Sequence, residues 1–249
     1  MSWLRTSLRS AFLAIAGLPV LAIASDQCTS DAMLVFDGSG SMSEMGFNQL
    51  DQPRILEARA AVRDAIPGAA RARRIGLIVY GPGEGDPCAS VDLRFGPIAG
   101  AGPRIVAEVD ALQPAGSTPL TDAVALAARV LDHRHQPGVV VLVTDGKETC
   151  GGTPCRLAER LVAEAADLTV HVIGYKVRGD HFRWGSHGRS DYSDSESSAR
   201  CLADMTGGLY LAAESAKELE RALRQTLACQ VLGRVDTALK GPPGARPYR

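Results

Sequence analysis

The chain has 249 residues, enough for one ordinary α/β domain or two small ones. With 45% hydrophobic and 22% charged residues, its composition is globular and excludes general disorder. A formal net charge of −1 leaves no electrostatic footprint for nucleic acid.

The opening "MSWLRTSLRS" carries Arg5 and Arg9 and no acid. An apolar run follows, broken only by Gly17 and Pro19, and it closes on Ala22-Ile23-Ala24. A basic start, a short apolar core and a small-residue exit predict an export signal over residues 1–24, cleaved after Ala24. An uncleaved membrane anchor is the alternative, but the run is short for a span. No later segment is long and apolar enough to cross a bilayer. A folded domain is then expected over 29–229. Residues 230–249, ending in "GPPGARPYR", have the composition of a mobile tail.

Strands and helices alternate through the domain. "DAMLVFD" (31–37) reads as a buried strand. "PRILEARAAVRDAI" (53–66) has the helical period, with Pro53 at its start and Ile55, Leu56, Ala60, Val62 and Ile66 near one face. "RRIGLIVYG" (73–81) is a second apolar strand. "CASVDLRFG" (88–96) alternates, with Val91, Leu93 and Phe95 on one face, as an edge or antiparallel strand does. "PRIVAEVDAL" (103–112) predicts a short helix and "TPLTDAVALAARVLDH" (118–133) a longer one, with Thr118 and Pro119 as cap and first turn.

"GVVVLVTDG" (138–146) is the strongest strand, apolar enough to be buried on both faces. "PCRLAERLVAEAA" (154–166) is an amphipathic helix and "LTVHVIGYKV" (168–177) a further strand. After a polar stretch come a helix over 197–208, a strand over 208–213 and a helix over 215–228. The last opens with Ser215 and Glu218 at capping-box spacing. Such alternation means a mostly parallel sheet with helices on both faces. Ligands of that architecture bind off the carboxyl ends of the strands. The places to look are the loops after Phe36, Tyr80, Val143 and Val177.

Two of those strands end on an aspartate: Asp37, in "DGSGSM", and Asp145, in "VLVTDGKE". Between them "QPAGSTPL" presents Ser117 and Thr118 just before a helix. Ser39 and Ser41, at alternate positions of an extended turn, face the same way. Hydroxyls and carboxylates gathered at one rim are a hard-oxygen set of the kind magnesium takes. A turn capped by Asp37 and Ser39 is the plainer alternative. No catalytic set accompanies these residues. The third position of a D-x-D phosphatase pattern is Ser39, no phosphate loop is present, and "DGSGS" is one residue short of a nucleophile elbow. His133 and His135, at a helix end, read as solvated. His171, inside a strand, reads as a satisfied sheet residue.

Asp37-Gly-Ser39-Gly-Ser41, then Thr118 in "GSTPL", then Asp145 in "TDG" resemble the metal-ion-dependent adhesion site of von Willebrand factor type A domains. All five positions of that motif stand in the family's chain order, and the resemblance covers about residues 29 to 228. It implies a doubly wound α/β fold with a six-stranded sheet of order 3-2-1-4-5-6, strand 3 antiparallel. It further implies a metal bound by Asp37, Ser39, Ser41, Thr118 and Asp145, with the hydroxyls as direct ligands and the aspartates acting mainly through water. Magnesium is the expected ion, with manganese and calcium the other candidates. An open metal position would take an Asp or Glu carboxylate from a partner protein.

All six cysteines, Cys28, Cys88, Cys150, Cys155, Cys201 and Cys229, follow the signal segment, as expected of disulfides in an oxidising compartment. Buried free thiols are the alternative, and a zinc site lacks a second ligand pair. Cys28 and Cys229 fall on the rim opposite the metal and would tie the termini. The other four pair either as Cys150–Cys155 with Cys88–Cys201, or as Cys88–Cys150 with Cys155–Cys201. The stretch 178–197, with Phe182, Trp184 and Tyr192, is a mobile loop or a ligand surface. Its Arg178-Gly179-Asp180 is a tripeptide match of little weight. The expected function is protein binding by an exported domain, periplasmic or extracellular. A structural or assembly subunit of a cell-envelope complex is the alternative, and a metal-dependent hydrolase a further one.

Overall fold

Apolar runs bounded by glycine and charge build the sheet. The computed structural model describes residues 28, 30–45, 52–83, 85–176 and 199–229. The expected signal over 1–24, the tail from 230 and the aromatic stretch 178–197 lie outside the described residues.

The strands are β1 (Asp31–Asp37), β2 (Ile75–Tyr80), β3 (Val91–Ile98), β4 (Pro137–Thr144), β5 (Asp167–Tyr175) and β6 (Tyr210–Ala213). The helices are α1 (Arg54–Ala72), α2 (Gly102–Ala111), α3 (Leu120–Val130), α4 (Pro154–Glu164), α5 (residues 199–205) and α6 (Ala216–Leu227). The sheet order is β3-β2-β1-β4-β5-β6. β3 is antiparallel to β2 and every other pairing is parallel. This is a doubly wound α/β fold, and β1 sits at its centre.

Alternate side chains of each central strand enter opposite cores, as the two-residue period requires. Leu34, Phe36, Val141 and Val143 pack with α1, α2 and α6 through Val62, Ile66, Ile105, Leu219 and Leu223. Met33, Val35, Val140 and Leu142 pack with α3, α4 and α5 through Val124, Ala127, Leu157, Leu161 and Leu202. In α6, Glu218 N–H donates to Ser215 Oγ at 3.3 Å, while Glu218 Oε2 accepts from Glu214 N–H at 2.7 Å. The capping box is thus shifted by one residue on its return side.

Several local expectations are corrected. α1 runs on through Pro67 and Gly68 to Ala72, and its buried stripe is Arg54, Ile55, Glu57, Ala58, Ala61, Val62, Ala65, Ile66 and Ala70. Leu56 is exposed. The stripe is rotated because two charged residues, Arg54 and Glu57, occupy it. In β3, Leu93 is exposed although Phe95 is buried, because register shifts interrupt the β2–β3 pairing. His133 is buried, its ring Nδ1 lying 3.0 Å from the Ala128 carbonyl.

Cys28 pairs with Cys229, joining the two ends of the described domain across 201 residues of sequence. By the chain-entropy account, closing so long a loop contributes about 5 kcal/mol. The other bonds are Cys88–Cys150 and Cys155–Cys201. The arrangement with Cys150–Cys155 is therefore not the one formed. Cys155 lies in the first turn of α4, on the sheet face that α4 shares with α5, where Cys201 is its neighbour.

Candidate metal centre

Register brings the two aspartates together. Phe36 pairs with Val143 and Asp37 with Tyr80, so β1, β2 and β4 end at one rim. Asp37 is fully buried there. Its Oδ1 accepts from Ser39 N–H at 2.8 Å and Ser39 Oγ–H at 2.6 Å. Its Oδ2 accepts from Tyr80 O–H at 2.9 Å, Thr144 Oγ1–H at 3.0 Å and Asp145 N–H at 3.3 Å. Asp145, also buried, accepts from Ser41 Oγ–H at 2.6 Å on Oδ1 and from Arg54 Nη1–H at 2.9 Å on Oδ2.

The loops carrying these groups touch through glycine. Gly40 N–H donates to Gly116 O at 3.1 Å, and Ala115 N–H to Gly38 O at 3.0 Å. Gly81 has φ +105°, and a Cβ there would strike the Ser39 backbone. Gly116, at φ +73°, stands equally close to the Gly81 carbonyl. The Cys88–Cys150 bond then braces the loop after β2 against the loop after β4.

The serines show what the arrangement can do. Each hydroxyl donates its single proton to its own aspartate, yet Ser39 Oγ and Ser41 Oγ stand 3.1 Å apart. The two oxygens converge between two carboxylates, and either hydroxyl can donate to the other instead. Burial pushes the Asp145 carboxyl up to about 7, and the Asp37 charge adds to the rise; Ser41 and Arg54 act against it. The Tyr80 hydroxyl is pushed well above its ordinary range, first by burial and then by Asp37, and stays a donor. The site is rich in hard oxygen and short of positive charge, which fits a small divalent cation. Among the described residues no group of three or more His, Cys, Asp or Glu is placed to hold a metal, so any cation here depends on hydroxyls.

The structure thus joins Asp37, Ser39, Ser41 and Asp145 in one hydrogen-bonded chain. Thr118 is buried as well but is tied to a different partner. Its N–H donates to Thr149 Oγ1 at 2.8 Å, and its carbonyl accepts from Thr149 N–H at 3.2 Å. It does not cap α3. Glu148 does so, accepting from Thr121 N–H at 2.9 Å and Thr121 Oγ1–H at 2.6 Å. Tyr80, Thr144 and Arg54 are participants that the motif did not name. Tyr80 and Thr144 end apolar strands at the rim, which was a usable signal. Arg54, in the first turn of a helix, carried none. All six cysteines are in disulfides.

Residues 32–148 match the von Willebrand factor type A domain family. The uncharacterized protein YwmD of Bacillus subtilis (strain 168) is 28% identical over 223 residues, covering 84% of this chain and 92% of that protein. Among solved structures, the pilus adhesin SpaC from Lactobacillus rhamnosus GG has a TM-score of 0.58 at 16% identity, over 80% of this chain and 30% of that one. Proximal thread matrix protein 1 from the mussel byssus, with a zinc-occupied MIDAS motif, has a TM-score of 0.51 at 16% identity, over 83% of this chain and 46% of that one. At these identities the structural likeness establishes the fold alone. The family match spans residues 32–148, a little under half of the chain, and the sheet order gives the described domain a von Willebrand factor type A-like α/β fold.

Proposed function

We propose that this chain is an exported binding module that holds a protein ligand through a divalent cation. Ser39, Ser41 and Thr118 would hold the ion directly, and Asp37 and Asp145 would hold it chiefly through water. When bound, the cation supplies an electrophile for one carboxylate oxygen of a partner protein. The protein's own residues do the rest. Tyr80 and Thr144 fix Asp37, and the 38–40 loop, hydrogen-bonded to 115–116, holds the serines in place. The observation that carries this reading is the convergence of two serine oxygens, 3.1 Å apart, between two buried carboxylates. Three disulfides agree with an oxidising compartment. The zinc-occupied site of the mussel protein and the adhesin with the same fold lend support.

Calorimetry of the mature protein with magnesium, manganese and calcium tests the metal. Capture from envelope extract with and without chelator tests the partner. Retained binding that chelator and Asp37→Ala both abolish is expected. Absence of any divalent-ion binding would overturn the reading. One observation favours the alternative of an assembly subunit with metal-independent contacts: Arg54 already gives Asp145 a cation. Partner capture insensitive to chelator would establish it.

A further inference from the structure

The segment before α3 is fastened at both ends, with Thr118 between. Ala115 N–H donates to Gly38 O at 3.0 Å and Gly40 N–H to Gly116 O at 3.1 Å, which ties residues 115–116 to the serine loop. At Thr118 the partner changes. Its N–H donates to Thr149 Oγ1 at 2.8 Å and its carbonyl accepts from Thr149 N–H at 3.2 Å. One residue of the loop after β4 therefore holds both polar groups of its backbone. Further on, Glu148 Oε2 accepts from Thr121 N–H and Thr121 Oγ1–H, and Oε1 accepts from Cys150 N–H at 2.8 Å. Gly152 leaves room for this meeting, since a Cβ there would strike both Thr121 and Glu148.

These contacts divide the work at the start of α3. A threonine ahead of a helix commonly spends its hydroxyl on the helix's own N–H groups. Here Pro119 stands at the cap position with no side-chain hydrogen bond, and the Glu148 carboxylate meets Thr121 N–H in the first turn, where the helix dipole favours negative charge. Among the described residues the Thr118 hydroxyl has no hydrogen-bond partner, although the residue is only 5% exposed. A buried hydroxyl relieved of capping, on a backbone held from the Asp145 loop, has what a metal ligand needs from its surroundings. We infer that Thr149 is a positioning residue which, with Glu148, sets the Thr118 hydroxyl at the cation, so that Thr118 and Asp145 meet the metal as one unit. This rests on the proposed metal-binding function. Thr149 is exposed and acts through the Thr118 backbone, without touching the ion. Cys88–Cys150 closes the same unit against the loop after β2.

The test compares the full mature protein with its Thr149→Val and Thr149→Ser variants. Valine keeps the branched shape and removes the acceptor, whereas serine keeps the acceptor. The first readout is amide hydrogen exchange at Thr118 in chelator, which needs no metal. Exchange should quicken on the order of fivefold in Thr149→Val and stay near wild type in Thr149→Ser. The second is manganese affinity by calorimetry. It should fall on the order of tenfold in Thr149→Val and return in Thr149→Ser. Unchanged Thr118 exchange in Thr149→Val would overturn the inference whatever the metal does. So would wild-type manganese affinity in Thr149→Val, even with a lowered thermal midpoint in chelator, because the contact would then serve stability alone. A loss of affinity that Thr149→Ser does not restore would assign the effect to shape and also overturn it. In each of these cases wild-type binding leaves the proposed function standing. Failure of the wild type itself to bind manganese would overturn both.

Discussion

Asp37→Asn separates the structural and metal-binding duties of the central carboxylate. The side chain keeps its shape but presents a carbonyl on one side only. With that oxygen towards Ser39, the new amide nitrogen faces Asp145 N–H. With the amide turned over, it faces Ser39 N–H. The Tyr80 and Thr144 hydroxyls can rotate to accept, but a backbone N–H cannot. One buried donor is therefore unanswered in either orientation, at a cost of roughly 1–3 kcal/mol. Loss of the Asp37 charge works the other way, because that charge is the second cause of the high Asp145 pKa of about 7. Each unit by which Asp145 relaxes returns about 1.4 kcal/mol. The net loss in chelator at pH 7 is thus small, on the order of 1–2 kcal/mol. The metal-dependent difference is larger. At a free metal concentration about a hundredfold above Kd, the wild type gains about 2.7 kcal/mol, and Asp37→Asn should gain none. Urea unfolding of both proteins, in chelator and in magnesium, gives the four free energies. A variant that keeps the full magnesium increment would refute the assignment of Asp37 to the site.

Three further outcomes follow from buried or bridging groups. Lys176→Met leaves Glu57 buried with Tyr175 as its remaining partner among the described residues, so urea unfolding should show a loss of about 3–5 kcal/mol; a loss under about 1 kcal/mol would refute a strong Lys176–Glu57 pair. His171 is kept neutral, its pKa lowered to about 4 by burial first and by the Arg73 charge second. The unfolded chain takes the proton more readily, so this stability is full above about pH 6.5 and is lost as pH falls towards 4. On the order of 2–3 kcal/mol should vanish across that window, and His171→Gln should flatten this part of the unfolding profile. Opening Cys88–Cys150 by double serine substitution should cost up to about 4 kcal/mol by loop entropy. It should also weaken magnesium binding in calorimetry, because the bond joins the loops after β2 and β4; unchanged affinity would confine the bond to a stability role.

What the sequence made legible followed strand periodicity. Five apolar residues before Thr144 and a clean run to Asp37 located two neighbouring strand ends, and the parallel register does align them. The sequence reads the serines as alternate positions of an extended turn; Gly40–Ser43 instead forms a short 3-10 helix, and the two hydroxyls converge from its first turn. Arg54 and Glu57 were missed because a binary pattern sends charged helix residues to solvent, and tertiary partners just past the ends of β4 and β5 reverse that. Leu93 was misplaced because a register irregularity cannot be read from alternation. The disulfides were open between two arrangements because spacing along the chain does not say which helices share a sheet face.

These missed charges complete an account of the rim. Four adjacent strands, β2, β1, β4 and β5, each end on groups that enter one buried polar network with the first turn of α1. Among the described residues, its charges are the carboxylates of Asp37, Asp145 and Glu57 against the cations of Arg54 and Lys176. Tyr80 and Tyr175 add none, because burial and neighbouring carboxylates hold both hydroxyls protonated. Two carboxylates lie side by side at the Asp37–Asp145 pair, where burial first and the Asp37 charge second push the Asp145 carboxyl up to about 7, so it is this pair that the proposed divalent ion would relieve.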